Sequence, residues 1–400
     1  MTRIGNADTG FFIPYNMQLI FDDNQLHKKL SPFALTRPIA EIRFGILTFK
    51  ETWELVLSSY YTDISIAYNT EDYLYAKYAK PIDTDSITIA GNIKPTKEIA
   101  KAVYELAPNT ALYVNSVFIA KKGNGTNENI DLSVTNLISI NACWEIFQKN
   151  GEAIEVDYSL LTNNQNSIPL PETVQVSKTG ANKIFIAEGA KIEHAIFNTD
   201  NGPIYIGKGA TVMDGAIIRG PFALCQEGVV KMGAKIYGPT TIGPFCKVGG
   251  EISNAVFQAY SNKGHDGFLG NSVIGEWCNL GADTNSSNLK NNYSNVKVYS
   301  YETQQIEKSS VLFCGLLMGD HSKTGINTML NTATVVGVSA NIFGGGFPKK
   351  YIPSFVWGGV DKTDRFILDK AFEVAKSMME RRKIDLTDGD KEILTYLYHK

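Results

Sequence analysis

Several features are scarce in this chain of 400 residues, and each scarcity excludes a class of protein. Net charge is nearly absent: 38 Lys and Arg face 41 Asp and Glu, and the balance of −3 leaves no basic footprint for nucleic acid or an anionic bilayer. The longest nearly apolar run, Val311–Gly319, is about half the ~20 residues that a membrane-crossing helix needs, so no membrane span is expected. No basic head leads into an apolar stretch at the start, so no secretory signal is expected. Cysteine is sparse and scattered. Cys143, Cys225, Cys246, Cys278 and Cys314 form no CxxC pair and no metal-ligand spacing, which fits reduced thiols in a cytoplasmic protein. There are only five histidines, and His194, His265 and His321 stand 71 and 56 residues apart in unlike contexts, which argues against a shared metal. His27 and His399 read as structural. What remains, 44% hydrophobic and 20% charged, is the composition of a folded chain with room for two or three domains.

The strongest pattern present is a period of six. Ile206, Val212, Ile218, Leu224, Val230, Ile236, Ile242 and Val248 are aliphatic at eight consecutive steps. Ala210, Ala216, Phe222, Gly228, Ala234, Thr240 and Cys246, mostly small, follow four residues behind the first seven. The phase returns at Ile274 and Leu280, then at Leu312, Met318, Leu330, Val336 and Ile342, with Thr324 out of character. Neither a helix nor an ordinary strand produces a period of six; a left-handed parallel β-helix with three six-residue sides per coil does. That fold is expected from about 180 to 350. Residues 250–268 and 283–310 break the pattern and are expected to leave the coil as loops, where binding residues concentrate.

The flanks read differently. Residues 1–16 are taken as a leader. Residues 17–165 alternate strand-like runs (Met17–Phe21, Ile64–Tyr68, Ile87–Ala90, Leu112–Ile119) with helix-like ones (Leu47–Ser58, Thr96–Glu105), which predicts an α/β domain on a mainly parallel sheet. Residues 166–179 read as a linker and 180–360 as the β-helix domain. From Asp361 to Lys400 there are 18 charged residues, nine of each sign. Ile367, Ala371, Val374 and Met378 follow helical spacing there, and Thr387 with Asp390 resembles a capping box. This helical tail is expected to cap the solenoid or to pack on a neighbouring subunit.

His265 is the candidate catalytic group. It lies on a Gly-flanked stretch, Lys263-Gly264-His265-Asp266-Gly267-Phe268, where a ring approaches a substrate closely and titrates near neutral pH. Asn279, Ala282, Asn288, Lys290 and Asn291 follow, neutral or basic groups suited to sugar hydroxyls and phosphates. His321, in Gly319-Asp320-His321-Ser322-Lys323-Thr324-Gly325, reads as a coil corner.

Residues 263–291 resemble the acetyltransferase half of the bifunctional enzyme that makes UDP-N-acetylglucosamine. The stretch from Gly264 to Thr284 is similar, without a gap, to that family's G-H-x-x-Y-x-G-(D/N)-(S/A)-x-I-G-x-x-x-N-x-G-A-G-T pattern. From about 17 to 360 the chain resembles a variant bacterial family of glucosamine-1-phosphate N-acetyltransferase/N-acetylglucosamine-1-phosphate uridylyltransferases. Thr36-Arg37-Pro38, Arg43, Gly45-Ile46-Leu47-Thr48 and Trp144-Glu145-Ile146-Phe147 carry the rest of the likeness.

The resemblance implies acetyl-CoA as co-substrate, a homotrimer with CoA between neighbouring solenoids, and His265 as the base that takes the proton of the sugar amine. It places Lys263, Phe268, Asn279 and Lys290 on the amino sugar, with Phe268 where the family has Tyr. Ala282, Asn288, Lys349 and Lys350 fall on acetyl-CoA, although the lysines read equally as solvated surface. Asp283 replaces a Gly, so a different backbone is expected there.

For the N-terminal domain the resemblance implies UTP or dTTP as nucleotide, with Mg²⁺. The Gly-rich phosphate loop of such domains is absent, and Ile39 occupies the position of the phosphate-holding lysine. Arg37, Arg43 and Lys50 either supply phosphate-binding charge or hold the fold through buried ion pairs. Asp22 and Asp23 are the candidate metal acids, and Asn115 stands where another acid is expected.

Three readings follow: a bifunctional sugar-phosphate transferase, the thymidylyltransferase type included; an acetyltransferase with a degenerate N-terminal binding domain; and a trimeric scaffold without activity.

Overall fold

The computed structural model describes residues 16–82, 86–123, 128–133, 136–177 and 183–400. The proposed leader, up to residue 15, and positions 178–179 of the proposed linker lie outside the described residues. Among those described, no helix is long and apolar enough to cross a membrane.

The alternating apolar runs of the N-terminal part form β1 (Asn16–Asp22), α1 (Phe49–Leu57), β2 (Asp63–Asn69), β3 (Ser86–Ala90), β4 (Ile93–Lys94), α2 (Lys97–Tyr104), β5 (Thr110–Val114), β6 (Val117–Lys122) and β7 (Glu128–Leu132). Six of the strands make one sheet in the order β2-β1-β3-β6-β5-β7. The β1–β2, β1–β3 and β5–β7 pairs are parallel, while β6 runs antiparallel to both neighbours. The single strand expected over Leu112–Ile119 is two strands, because Asn115 and Ser116 take φ of 49° and 64° and close a tight hairpin. Asn115 is therefore a turn residue, not a metal position. Helix α1 starts where Thr48 and Glu51 cap each other: Glu51 N donates to Thr48 Oγ1 over 3.1 Å and Thr48 N to Glu51 Oε2 over 2.7 Å.

The period of six folds into the expected left-handed parallel β-helix. Every aliphatic position from Ile206 to Val248 is buried, as are the small residues behind them, so the repeat is the core. Register steps by eighteen residues from Thr211 to Val229 to Lys247, one residue per coil. Thr324 keeps its place in this core because its hydroxyl meets that of Thr284 at 2.8 Å, one coil below.

The two breaks in the period have different causes. Residues 250–268 do not leave the coil. They form a shortened one, in which Lys247 pairs with Asn262 after fifteen residues and Glu251–Phe257 runs as one long strand beside Lys235–Tyr237 and Thr241–Ile242. A deletion breaks a six-residue pattern as thoroughly as an insertion. The second break is a true insertion: the chain departs after Ser287, makes the antiparallel pair Lys297–Ser300/Gln305–Lys308, and rejoins at Gly315. Val296, Val298 and Val311 of this excursion join the core of the N-terminal domain.

That domain lies against one flank of the solenoid. Val256, Val273, Leu317 and Val335 belong to the N-terminal core cluster. Helices α3 (Glu145–Gln148) and α4 (Asn150–Thr162) pack on the same flank. Ile168 N donates to Ile186 O and Gln175–Val176 pairs with Ile196–Phe197, so solenoid hydrogen bonding begins within 166–179.

The segment Thr36–Thr48 is sewn between the domains. Thr36 Oγ1 donates to Asp320 over 2.6 Å, and Arg37 reaches Asp320 and Glu276. Arg43 and Gln258 exchange backbone and amide hydrogen bonds of 2.6 and 3.0 Å, as two paired strands would. Gly45 takes φ +85°, and a Cβ there would stand 2.8 Å from the Ala153 carbonyl, so only glycine lets this loop reach Thr241, whose hydroxyl donates to Gly45 O. Beneath it Asp157, fully buried, accepts from Ile46 N, Leu47 N and Lys94.

The tail forms α5 (Leu368–Glu380) and α6 (Asp388–His399), the latter opened by the expected Thr387/Asp390 capping box. Its buried stripe is Ala371, Ala375 and Met379, while Ile367 is exposed. Helix α6 packs in cis on the N-terminal domain, with Tyr396 stacked on Tyr73 at 4.2 Å and Lys77 paired with Asp390 at 2.8 Å.

Candidate functional site

His265 stands exposed on a corner of the solenoid, built by one left-handed residue per coil. Gly215, Gly233, Gly250 and Gly267 supply these turns, and Asp283 and Asn327 follow with φ of 55° and 56°. Asp283 thus keeps the backbone of the glycine it replaces, contrary to the expectation of a changed turn. Asp283 N donates to Asp266 O over 3.1 Å and Asn327 N to Ala282 O over 2.8 Å, which stacks three corners beside His265.

Lys263 does not face a substrate. It occupies a core position, opposite Val248 of the preceding coil, with 1% exposure. Its ammonium turns back to donate to His265 O over 2.8 Å and Asp266 O over 3.0 Å. Burial lowers its pKa from 10.5 to about 8. The side chain is an internal brace that fixes the loop presenting His265. Because Val fits the equivalent position, Lys263→Met is expected to fold with an unchanged melting temperature. If His265 is the base that the resemblance implies, the kcat it supports should fall about ten- to a hundredfold as the ring loses its fixed position. Steady-state rates alongside a thermal melt check this, and an unaltered kcat would remove the brace from the account.

Phe268 and Asn288 meet on the strand after the corner. Phe268 N donates to Asn285 Oδ1 over 2.7 Å and Asn288 Nδ2 to Asn271 Oδ1 over 2.8 Å, while Gly270 leaves room for both side chains. Asn279 is exposed on the face leading to the corner, in register with Asn262 and Lys323. Ala282 adjoins the corner, so His265, Phe268, Asn279, Ala282 and Asn288 share one edge of the solenoid. Lys290 closes its own loop, donating to Asn295 O over 2.7 Å. Lys350 reaches Thr332 over 3.1 Å and is half-buried; burial, then the charges of Lys290 and Lys297, lower its pKa. Lys290, Lys297 and Lys350 thus form a basic cluster, with Lys349 exposed next to it in sequence.

The N-terminal candidates are engaged elsewhere. Arg37 is 6% exposed; burial opposes its charge, and the Asp320 and Glu276 carboxylates overcome that and raise its pKa. Arg43 donates to Gln258 O over 3.1 Å and pairs with Glu51 at 3.3 Å. Lys50 pairs with Glu41 at 2.9 Å. The ion-pair reading of these residues is the one that matches their contacts.

In a sheet ordered β2-β1-β3, a ligand crevice is expected beyond the C-terminal ends of β1 and β3, where the strand order reverses. The turn Ile39–Glu41 fills it. Ile39 and Ala40 are fully buried, a Cβ on Gly91 would lie 3.5 Å from Ala40 N, and Ile39 N donates to Asp23 Oδ1 over 2.8 Å. The other Asp23 oxygen accepts from Thr70, and Asp22 accepts from Asn24 N over 2.7 Å. These acids do not fit a Mg²⁺ site. Among the described residues no group of three His, Cys, Asp or Glu is placed to hold a metal.

Burial also sets the acid response of the protein. It lowers His27 from 6.5 to about 4 and His321 to about 3, and raises Asp23 from 3.8 to about 7. Between pH 6.5 and 4 the unfolded chain binds protons that the two folded histidines refuse, so stability falls as pH drops through this window. Asp23 acts oppositely, since its contribution is complete below pH 3.8 and is lost as pH rises toward 7. Two histidines outweigh one carboxyl. Melting temperatures at pH 6.5 and 4.5 should differ less in His27→Asn than in wild type; an equal difference would contradict the assignment.

Residues 18–166 match the family model described as sugar nucleotidyl transferase. Over 237 residues, 56% of this chain and 45% of the relative, the sequence is 24% identical to the bifunctional protein GlmU of Bartonella quintana. Over 87 residues, 22% of this chain and 21% of the relative, it is 33% identical to the bifunctional protein GlmU of Methanocaldococcus jannaschii. The chain thus spans less than half the length of these relatives. Among solved structures, a UDP-N-acetylglucosamine acyltransferase from Arabidopsis covers 54% of this chain and 80% of its own, with 12% identity and a TM-score of 0.29. Residues 18–166 thus match a sugar nucleotidyl transferase family, and the chain as a whole is similar to GlmU proteins over part of their length.

Proposed function

We propose that this chain moves an acetyl group from acetyl-CoA to the amine of an amino-sugar 1-phosphate, glucosamine-1-phosphate in the first place, with His265 as general base. The observation that carries this is the gap-free acetyltransferase pattern from Gly264 to Thr284, folded so that His265 stands exposed on a braced corner. The imidazole takes one proton from the amine as nitrogen attacks the thioester carbonyl. The carbon–sulfur bond then breaks, and the CoA thiolate leaves and is protonated, giving an amide and free CoA. Asn279 and Phe268 border the sugar, Ala282 and Asn288 the acetyl-CoA, and the basic cluster of Lys290 and Lys350 suits a phosphate.

A homotrimer completes the site in this reading. Met232 and Ile326, 70% and 71% exposed, occupy the same corner row as Asp266 and Ala282, an apolar margin suited to a neighbouring solenoid.

The test is release of free CoA by the full chain with glucosamine-1-phosphate present. Failure across a panel of amino sugars and their 1-phosphates would overturn the acetyltransferase reading.

Nucleotidyl transfer from UTP or dTTP is the second reading, favoured by the family match over 18–166. The filled crevice and the engaged arginines count against it, and no step is assigned there. Calorimetric titration of UTP with Mg²⁺ decides: saturable heat restores the bifunctional enzyme, and none down to millimolar affinity leaves a domain that only binds or attaches.

A further inference from the structure

A cavity of about 450 Å³ lies where the Thr36–Glu51 segment, the solenoid and the tail helices meet. It is separate from the His265 corner and from the filled crevice beyond β1 and β3. One wall is a second row of left-handed corners, Phe245, Tyr260, Trp277 and His321, with φ of 56–59°. Their rings stack in parallel, Phe245 on Tyr260 at 5.3 Å and Tyr260 on Trp277 at 4.1 Å. Met379, Ile393 and Leu394 of the tail form an apolar wall.

The polar lining has an unusual balance. Every cation is matched to a carboxylate: Arg37 to Asp320 and Glu276, Arg43 to Glu51, Lys77 to Asp390. A phosphate would meet no spare positive charge and several carboxylates. What remains unmet is hydrogen bonding. Among the described residues Arg37 Nε and His321 Nδ1 lack a partner, but both atoms are sealed from the cavity. Glu276 Oε2 and Glu51 Oε1 accept no hydrogen bond among the described residues, where the partners of both acids use the other oxygen. Burial, and then the Lys323 charge, holds the His321 ring neutral, with its pKa lowered to about 3.

We infer that this cavity binds an uncharged pyranose sugar, whose hydroxyls donate to Glu276 and Glu51 and whose C–H surface lies on the apolar wall. Paired charges with lone pairs to spare, beside aromatic edges and aliphatic side chains, suit a ligand that is polar around its rim and apolar on its faces. Volume agrees with this class, since small-molecule sites run from about 300 to 1,000 Å³.

Calorimetry on the full chain tests it, with glucose and N-acetylglucosamine as neutral probes and inorganic phosphate and UMP as anionic ones. Gln226 is exposed and lines the cavity, so Gln226→Trp fills the mouth without disturbing the core. At least one neutral sugar should bind saturably to wild type and to His265→Ala alike. Glu276→Gln should weaken it about tenfold, and Gln226→Trp should abolish it while the melting temperature is unchanged. Three results overturn the inference: no heat with either sugar, sugar heat lost in His265→Ala but kept in Gln226→Trp, or binding of phosphate or UMP alone. Failure of the acetyltransferase reading leaves this test untouched, because neither the probes nor the readout involve acetyl-CoA.

Discussion

His265→Ala folds as the wild type does and loses about 10²–10⁴ of its acetyl-transfer turnover, the share that general base catalysis supplies. The fold is spared because the ring is exposed and its loop is held by Lys263, not by the imidazole. Positioning of the amine beside the thioester survives in the variant, so a residual rate above background is expected, and KM for the amino sugar should change little. The pH profile separates base from bystander. If His265 is the base, a limb of the wild-type pH profile of kcat/KM should be missing from the variant. A variant within a few-fold of wild type would assign proton removal to water and leave His265 as a surface residue.

Arg37→Ala is the change with the largest expected effect on stability. The guanidinium and Asp320 are both nearly buried, at 7% and 5% side-chain exposure, and Glu276 is the second partner. Removing the cation leaves Asp320 as an uncompensated buried carboxylate, a loss of about 3–5 kcal/mol. Among the described residues Thr36 is its only side-chain donor besides the arginine. Urea unfolding gives the magnitude, and limited proteolysis gives the place, because release of the Thr36–Thr48 seam should expose the connection near residues 163–167. The triple variant Arg37→Met, Asp320→Asn, Glu276→Gln removes all three charges together and should recover most of the loss. A single variant as stable as wild type would mean that the Arg37 ion pair is not needed to hold the domains together.

The solenoid was legible because its period is imposed residue by residue by the core: each aliphatic step is a buried side chain of one coil face. The breaks were legible as breaks, but their sign was not, since a coil shortened by three residues and a coil carrying an excursion both erase the phase. Local rules held where the interaction is local, as in the Thr387/Asp390 box. They failed where a partner is distant. Lys263 looked like a substrate contact because nothing nearby in sequence reveals that its ammonium turns inward. Arg37 and Arg43 looked like phosphate ligands because their partners lie at Gln258, Glu276 and Asp320, more than 200 residues away. One missed signal was present: Phe245, Tyr260 and Trp277 recur at about the length of a coil, the spacing that stacks rings on a solenoid corner.

The seam has a consequence for how this protein changes over time. Thr36, Arg37, Arg43 and Gly45 hold the solenoid, while Ile39 between them merely fills the space beyond the strands. The stretch from Thr36 to Thr48 then drifts under the rules of an attachment surface. Among relatives, position 39 should range over apolar side chains with little cost, whereas an exchange at 37 should arrive with a matching exchange at 276 or 320. Ancestry would be recorded in the shape of the loop, and present selection in its pairs.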